Sequence, residues 1–154
     1  MLANLLELYA HDLSEYFDLP LQPSGRFGYP PLPLYWREEG RFPFIVTVDQ
    51  QIAGFVLVSR GSRINDAPQV WDVAEFFVMR GYRKRGVGAV AAAEVFRRFA
   101  GGWEVRVLES NMPALAFWRA AIHCFTRDCG EEPYVDAQQR PWRVFSFESP
   151  GPDG

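Results

Sequence analysis

The chain has 154 residues and a mass of 17.6 kDa, enough for one domain that buries roughly two-thirds of its unfolded surface without a disulfide or metal staple. A composition of 48% hydrophobic and 23% charged residues excludes disorder, collagen-like repeats and coiled coil. Sixteen basic against nineteen acidic residues give a net charge of -3, without the basic excess that phosphate-backbone binding needs, so nucleic acid is not an expected partner.

From the N-terminus, Leu5, Leu8, Tyr9, Leu13, Tyr16 and Phe17 recur at helical spacing, with Asn4 as N-cap and Glu7 as its capping-box partner. The helix ends before Pro20. Residues 18–34 hold five prolines and two glycines and read as a loop whose aromatics pack it down. Leu34 to Glu39 has room for a helical turn or two. Phe44 to Val48 and Ile52 to Val58 form a hairpin across Asp49-Gln50-Gln51. Residues 59–69 are polar and turn-rich and lead into Val70 to Met79, dense in β-formers.

After the arm Gly81 to Arg85, the stretch Gly86 to Ala100 is helical, with Gly88, Ala92, Val95, Phe96 and Phe99 on one face and Glu94 paired to Arg98. Gly101-Gly102 stops it. Glu104 to Leu108 is a strand, Met112 to Ala121 an Ala-rich helix, Cys124 to Cys129 a strand and Trp142 to Glu148 the last. No repeat or linker interrupts residues 1–150, which read as a single domain; residues 151–154 are expected to be a frayed tail.

Cys124 and Cys129, placed in one strand and pointing to opposite faces, are expected to be reduced core thiols. His11 and His123 have no ligand partners nearby, so no metal is expected. No basic residue precedes Arg26, and Glu7, His11 and Asp12 break the first apolar stretch, which argues against a signal peptide. No apolar run approaches the roughly 18 residues of a membrane span. A cytoplasmic location follows as the expectation.

The segment that carries chemistry is Phe76-Phe77-Val78-Met79-Arg80-Gly81-Tyr82-Arg83-Lys84-Arg85-Gly86-Val87-Gly88, in which a hydrophobic strand enters a glycine loop that opens a helix. Glycines there let backbone approach a ligand, and the unpaired N–H groups of a helix's first turn attract phosphate. Arg83, Lys84 and Arg85 add positive charge. Lys84 is the only lysine, and five arginines cluster between Arg80 and Arg98. Asn111 follows about 25 residues later at the end of another strand, before a helix containing Phe117-Trp118. The loop is no Walker A, since no Gly-Lys-Ser/Thr follows, and no dinucleotide fingerprint, since the third glycine is missing.

This combination resembles the GNAT superfamily, the GCN5-related N-acetyltransferases, over roughly Ile45 to Phe125. The resemblance implies an α+β fold, a mixed and mostly antiparallel sheet flanked by helices on both faces, and transfer of an acetyl group from acetyl-CoA to an amine. By position it implies that the backbone of Phe76, Phe77 and Val78 binds the pantetheine arm and stabilises the oxyanion. It places the pyrophosphate on Arg83, Lys84, Arg85, Gly86, Val87, Gly88 and Ala89, with Asn111 against the pantetheine arm. Acetyl-CoA is thus the expected co-substrate.

Three departures stand out. The strand that commonly precedes the first helix is absent or reduced to Met1-Leu2. The proline common two residues after the strand valine is Arg80. The tyrosine that often protonates the departing thiolate is Trp118, whose indole N–H donates a hydrogen bond but is no proton source, so it reads as a wall of the cofactor cleft or as core.

Two carboxylates are candidates for the general base. Asp72 matches the glutamate of the histone-acetylating members and, by strict alternation, shares a face with Ala74, Phe76 and Val78; Glu75 falls on the other face. Either could instead be an ion-paired strand carboxylate, with ordered water taking the proton. Trp36, Trp71, Trp103 and Trp142 read as packing residues, although the resemblance places Trp36 and Tyr35 at the acceptor-binding wall, and His123 reads as a cap or core residue. Asp12, Glu15, Asp18, Glu38 and Glu39 read as solvated faces or, where the resemblance puts the first helices beside the acceptor cleft, as charge that favours a small cationic amine, small molecule or peptide. The alternative is an acyl-CoA-binding sensor or interaction module without transfer. Exposed aromatics in the C-terminal strands would suit a homodimer.

Overall fold

The computed structural model describes residues 1–154. Asp49 and Gln50 both adopt left-handed backbone, with φ of 49° and 67°. That pair of conformations makes the two-residue turn whose twist matches a hairpin. It joins β1 (Arg41–Val48) to β2 (Gln51–Arg60), and β2 pairs antiparallel with β3 (Trp71–Val78). At Gly54 a Cβ would collide with the Phe77 carbonyl, so only glycine lets these strands approach. β4 (Gly101–Leu108), β5 (Cys129–Val135) and β6 (Pro141–Ser149) complete a six-stranded sheet of order β1-β2-β3-β4-β6-β5. Every pairing is antiparallel except β3 with β4.

Helices cover both faces, as expected. α1 (Leu2–Leu13) and a 3-10 helix at Leu32–Trp36 pack on one face around Leu5, Leu6, Tyr35, Phe55, Leu57 and Phe77. α2 (Val87–Arg98) and α3 (Met112–Phe125) cover the other around Phe96, Trp103, Val105, Trp118, Ile122 and Phe145. Phe96 is fully buried and meets Trp103 and Phe147 edge-on, with ring centroids 5.1 and 4.8 Å apart. No helix is long and apolar enough to cross a membrane.

Several local readings give way to tertiary structure. α1 begins at Leu2, so Asn4 lies inside it; Glu7 instead accepts the N–H groups of Phe27 and Gly28 at 2.7 and 2.9 Å. A carboxylate that satisfies two loop amides gains more than one closing a capping box, and residues 18–31 are pinned on α1 as a result. Glu94 pairs with Arg97 at 3.6 Å rather than with Arg98, which lies over the Phe44 ring. α2 ends at Arg98 with Phe99 extended, and Gly101-Gly102 opens β4 instead of stopping the helix.

Cys124 and Cys129 do not share a strand, because α3 runs on through Phe125 and β5 starts at Cys129; both thiols are free, and Cys124 is exposed. His123 is exposed on the last turn of α3, neither cap nor core. Trp36 is 65% exposed. Phe145 and Phe147 point inward and are buried, so the C-terminal strands lack the exposed aromatics that a homodimer was expected to use. Gly151 is buried against Ala100 and its N–H bonds the Ser149 hydroxyl, which ties down the start of the tail; Pro152 to Gly154 form an exposed turn.

Candidate active site

β3 and β4 hold together through only two residue pairs, Trp71 with Trp103 and Asp72 with Glu104. Beyond them the strands diverge, and a cleft of about 730 Å³ opens between Val73–Val78 on one side and Val105–Leu108 on the other. Along this gap neither strand has the other as a partner, so backbone polar groups are left for something else to satisfy.

On the α2 side the cleft reaches the glycine loop. Gly86 caps α2 with φ of 80°, a conformation natural to glycine, and no side chain caps the helix. The first-turn N–H groups of Val87, Gly88 and Ala89 are therefore unspent. A Cβ at Gly86 would meet nothing within 4 Å, so the approach is open. Gly88 has a second task, since a Cβ there would come within 2.8 Å of the Phe117 ring of α3. Arg80, Arg83, Lys84, Gly86, Gly88 and Ala89 line the cleft; Arg85, stacked 5.4 Å over Tyr82, and Val87 do not.

Phe76, Phe77, Val78, Asn111 and Trp118 all line the cleft. Arg83 Nε donates to the Val78 carbonyl at 2.6 Å, which commits one of those backbone acceptors. Asn111 caps α3 by accepting the Ala114 N–H at 3.2 Å. Trp118 is buried and meets Phe76 edge-on at 4.8 Å, so the cofactor wall and the core readings of this residue describe one position.

On the α1 side the two carboxylates part company. Leu57 pairs with Glu75 and Val58 with Val73, leaving Ala74 as an extra residue in β3. Such a bulge resets the alternation. Asp72 and Glu75 consequently lie on the same face, and Asp72 does not share the face of Phe76 as strict alternation predicts. Asp72 has no exposed surface and stays outside the cleft, bonded side-on by Arg106 through Nε at 3.2 Å and Nη2 at 3.3 Å. Burial pushes its carboxyl above the usual range, only partly offset by Arg106.

Glu75 lines the cleft. Burial raises its carboxyl from 4.5 to about 7, against the opposing pull of the Tyr9 hydroxyl and the Arg106 charge. Tyr9 comes from α1, Tyr29 from the pinned loop and Tyr35 from the 3-10 helix, and burial raises the phenols of all three. The Tyr35 hydroxyl is buried without a hydrogen-bond partner, under the Arg41 guanidinium at 5.5 Å. Asp12 and Glu15 line the α1 rim; Asp18, Glu38 and Glu39 are exposed, Glu38 pairing with Arg41 at 2.6 Å. Sequence reading missed Arg106, Tyr9, Tyr29 and Trp142 as site residues. Arg106 alone left a signal there, an arginine two residues after Glu104 on the same side of a largely apolar strand.

The sequence profile of the acetyltransferase (GNAT) family matches residues 3–130, most of the chain. The chain belongs to the GNAT acetyltransferase family. It is therefore a transferase, of a family whose acyl donor is acetyl-CoA. An acetyltransferase from Thermus thermophilus has a similar fold, with a TM-score of 0.66 at 17% identity, over 95% of this chain and 90% of that one. So does a Bacillus subtilis acetyltransferase solved in complex with CoA, with a TM-score of 0.55 at 12% identity over 77% and 84%. The ribosomal-protein-S18-alanine N-acetyltransferase of Escherichia coli gives a TM-score of 0.54 at 13% identity over 79% and 78%. No curated protein sequence matches significantly. Within the GNAT fold seen here no strand precedes α1, as the sequence led one to expect.

Proposed function

We propose that this GNAT domain acetylates a small cationic amine from acetyl-CoA, with Glu75 as the general base. The residues present suit acetyl-CoA. Its pyrophosphate would be held by the amides of Gly86 to Ala89 together with Arg80, Arg83 and Lys84, and its pantetheine arm by the open backbone of Phe76 to Val78 with Asn111 and Trp118. The observation that carries the catalytic reading is Glu75 itself, a cleft carboxyl raised to about 7 and so divided between its two forms near neutral pH. Its carboxylate takes one proton from the ammonium of the acceptor. The free amine then attacks the thioester carbonyl; as the C–N bond forms and the C–S bond breaks, CoA leaves as thiolate with the bonding pair, and the second N–H proton passes to that thiolate through water. A backbone N–H of Phe76 to Val78 would offset charge on the carbonyl oxygen.

Charge supports a cationic acceptor. Asp72, Glu75 and Glu104 cluster against Arg106 and the half-exposed Arg63, which leaves an excess of acid beneath the cleft. Asp12 adds nothing to this, because it is spent on two arginines.

Free-thiol release from acetyl-CoA with a panel of cationic, neutral and anionic primary amines between pH 5.5 and 9 tests the reading. Turnover is expected with cationic amines, with an acid limb near pH 7. Glu75→Gln is expected to lose that limb and to recover rate only as free amine becomes abundant. An unchanged profile in that variant would assign the proton to solvent.

A further inference from the structure

The bulge at Ala74 puts Asp72 and Glu75 on one face of β3, and Arg106 of β4 reaches that same face. Asp72, sealed from solvent, engages the guanidinium side-on through Nε and Nη2. Arg106 nevertheless lines the cleft beside Glu75, close enough for its charge to act there, yet it makes no ion pair with Glu75 within 4 Å. Arg106 is thus shared unequally between two acids, while Arg63, half-exposed and 3.9 Å from Asp72, is the more distant cation.

We propose that Asp72 is a positioning residue that acts through Arg106: by holding the guanidinium side-on it keeps Arg106 from closing on Glu75 and leaves that carboxylate free to receive the acceptor's ammonium. This rests on the reading of Glu75 as base, and it gives the buried Asp72 a role that needs no contact with substrate. An unanchored Arg106 would pair with Glu75, since an unpaired cation beside a half-buried carboxylate is the costlier arrangement. A paired Glu75 is a weaker base and no longer attracts a cation.

The groups that face Glu75 are few. Tyr9 of α1, Tyr29 of the pinned loop and Tyr35 of the 3-10 helix stay protonated through the working range, because burial raises all three. Arg41 of β1 sits behind Tyr35, Asp12 of α1 is taken up by Arg80 and Arg83, and Glu15 lies on the rim. Glu104 of β4, buried and bonded by the Ser62 hydroxyl at 2.8 and 3.0 Å, is the remaining acid of the cluster. Asp72 and Arg106 are the charged pair on which the state of Glu75 turns.

The test is the titration of the Glu75 carboxyl carbon by NMR in protein labelled at glutamate, its resonance assigned by its loss in Glu75→Gln. In Asp72→Asn the midpoint is expected to move down by about one pH unit, as the Asp72 charge that raises it is lost and the freed cation closes on the carboxylate. With the best acceptor of the amine panel, kcat should fall by roughly threefold to tenfold while the KM for acetyl-CoA holds. A midpoint that stays or rises overturns the proposal. The double variant Asp72→Asn with Arg106→Gln removes both members of the buried pair and reports even where Asp72→Asn does not fold. Its Glu75 midpoint is expected above the parent's, because the guanidinium is gone; a midpoint equal to or below the parent's overturns the proposal too. The titration does not depend on turnover, so a Glu75 that proves not to be the base shows itself separately, through an unchanged acid limb in Glu75→Gln.

Discussion

Asp12 of α1 and Arg83 of the glycine loop are joined by a 2.6 Å ion pair, and the same carboxylate accepts from Arg80 at 2.7 Å. The two arginines hold the Asp12 carboxyl below its ordinary range despite partial burial. The end of α1 is thereby clamped to the loop that leads into α2. Folding that lowers a carboxyl's pKa contributes stability above the unfolded value of 3.8 and loses it as pH falls through the folded one. Asp12→Asn should therefore cost about 1 kcal/mol at pH 7 and progressively less as pH falls below 3.8, read from thermal melts. It should also tighten CoA binding by a factor of about 3 at low salt, since an anion competing with the phosphates has gone. Weaker binding in calorimetry would mean that the clamp orients the loop.

Gly86→Asp tests the phosphate assignment. The position is open, so the added side chain meets no wall, and left-handed backbone costs an aspartate only about 1 kcal/mol. The fold should survive. A carboxylate placed at the N-terminus of α2, where a phosphate is expected, should weaken CoA binding a hundredfold or more. Calorimetry that finds parental affinity would place the pyrophosphate elsewhere.

Glu75 should leave a signature on stability as well as on rate. Its folded pKa of about 7 lies above the ordinary 4.5, so the folded state holds the proton more tightly and its advantage, complete below 4.5, drains away as pH rises to 7. Glu75→Gln removes that loss. Relative to the parent it should be more stable above pH 7, by up to about 3 kcal/mol, with the difference vanishing near pH 4. Equal melting temperatures at pH 8 would mean that the carboxyl titrates as an ordinary glutamate.

Trp118 is wedged among Phe76, Phe96 and Phe117 at centroid distances of 4.8, 6.3 and 5.0 Å. Trp118→Ala should cost about 3–5 kcal/mol and loosen acetyl-CoA binding, because the cavity borders the cleft. Trp118→Phe should keep most activity. The CoA thiolate, with a pKa near 8.5, is a tolerable leaving group without a side-chain acid. A folded Trp118→Phe variant with normal CoA affinity but turnover down a hundredfold would put the indole N–H into the chemistry.

Legibility in the sequence followed the range of the interactions involved. The Gly86 loop and α2 could be read because a left-handed cap and a helical apolar period are local properties of a few consecutive residues. The bulge could not, since nothing in Trp71 to Val78 distinguishes Ala74 from a regular strand position, and the faces of Asp72 and Glu75 depend on it. The tyrosines around Glu75 come from three segments far apart in sequence, one of them the loop whose Phe27 and Gly28 amides bond Glu7. The reach of α3 past Cys124 was hidden because Phe125 suits a helix end and a strand start alike.

The two residue pairs that join β3 to β4 divide the sheet into halves, β1 to β3 and β4 to β6, whose facing edges are unzipped over most of their length. A seam of that kind makes the fold's hydrogen bonding incomplete from within. Whatever extended ligand fills it behaves as a short length of missing strand, and its concentration becomes a component of the protein's own stability. At a hundred times its Kd such a ligand adds about 2.7 kcal/mol. Amide exchange along Phe76 to Val78 would slow with it, so that the abundance of donor in the surroundings is recorded in how firmly the two halves stay together.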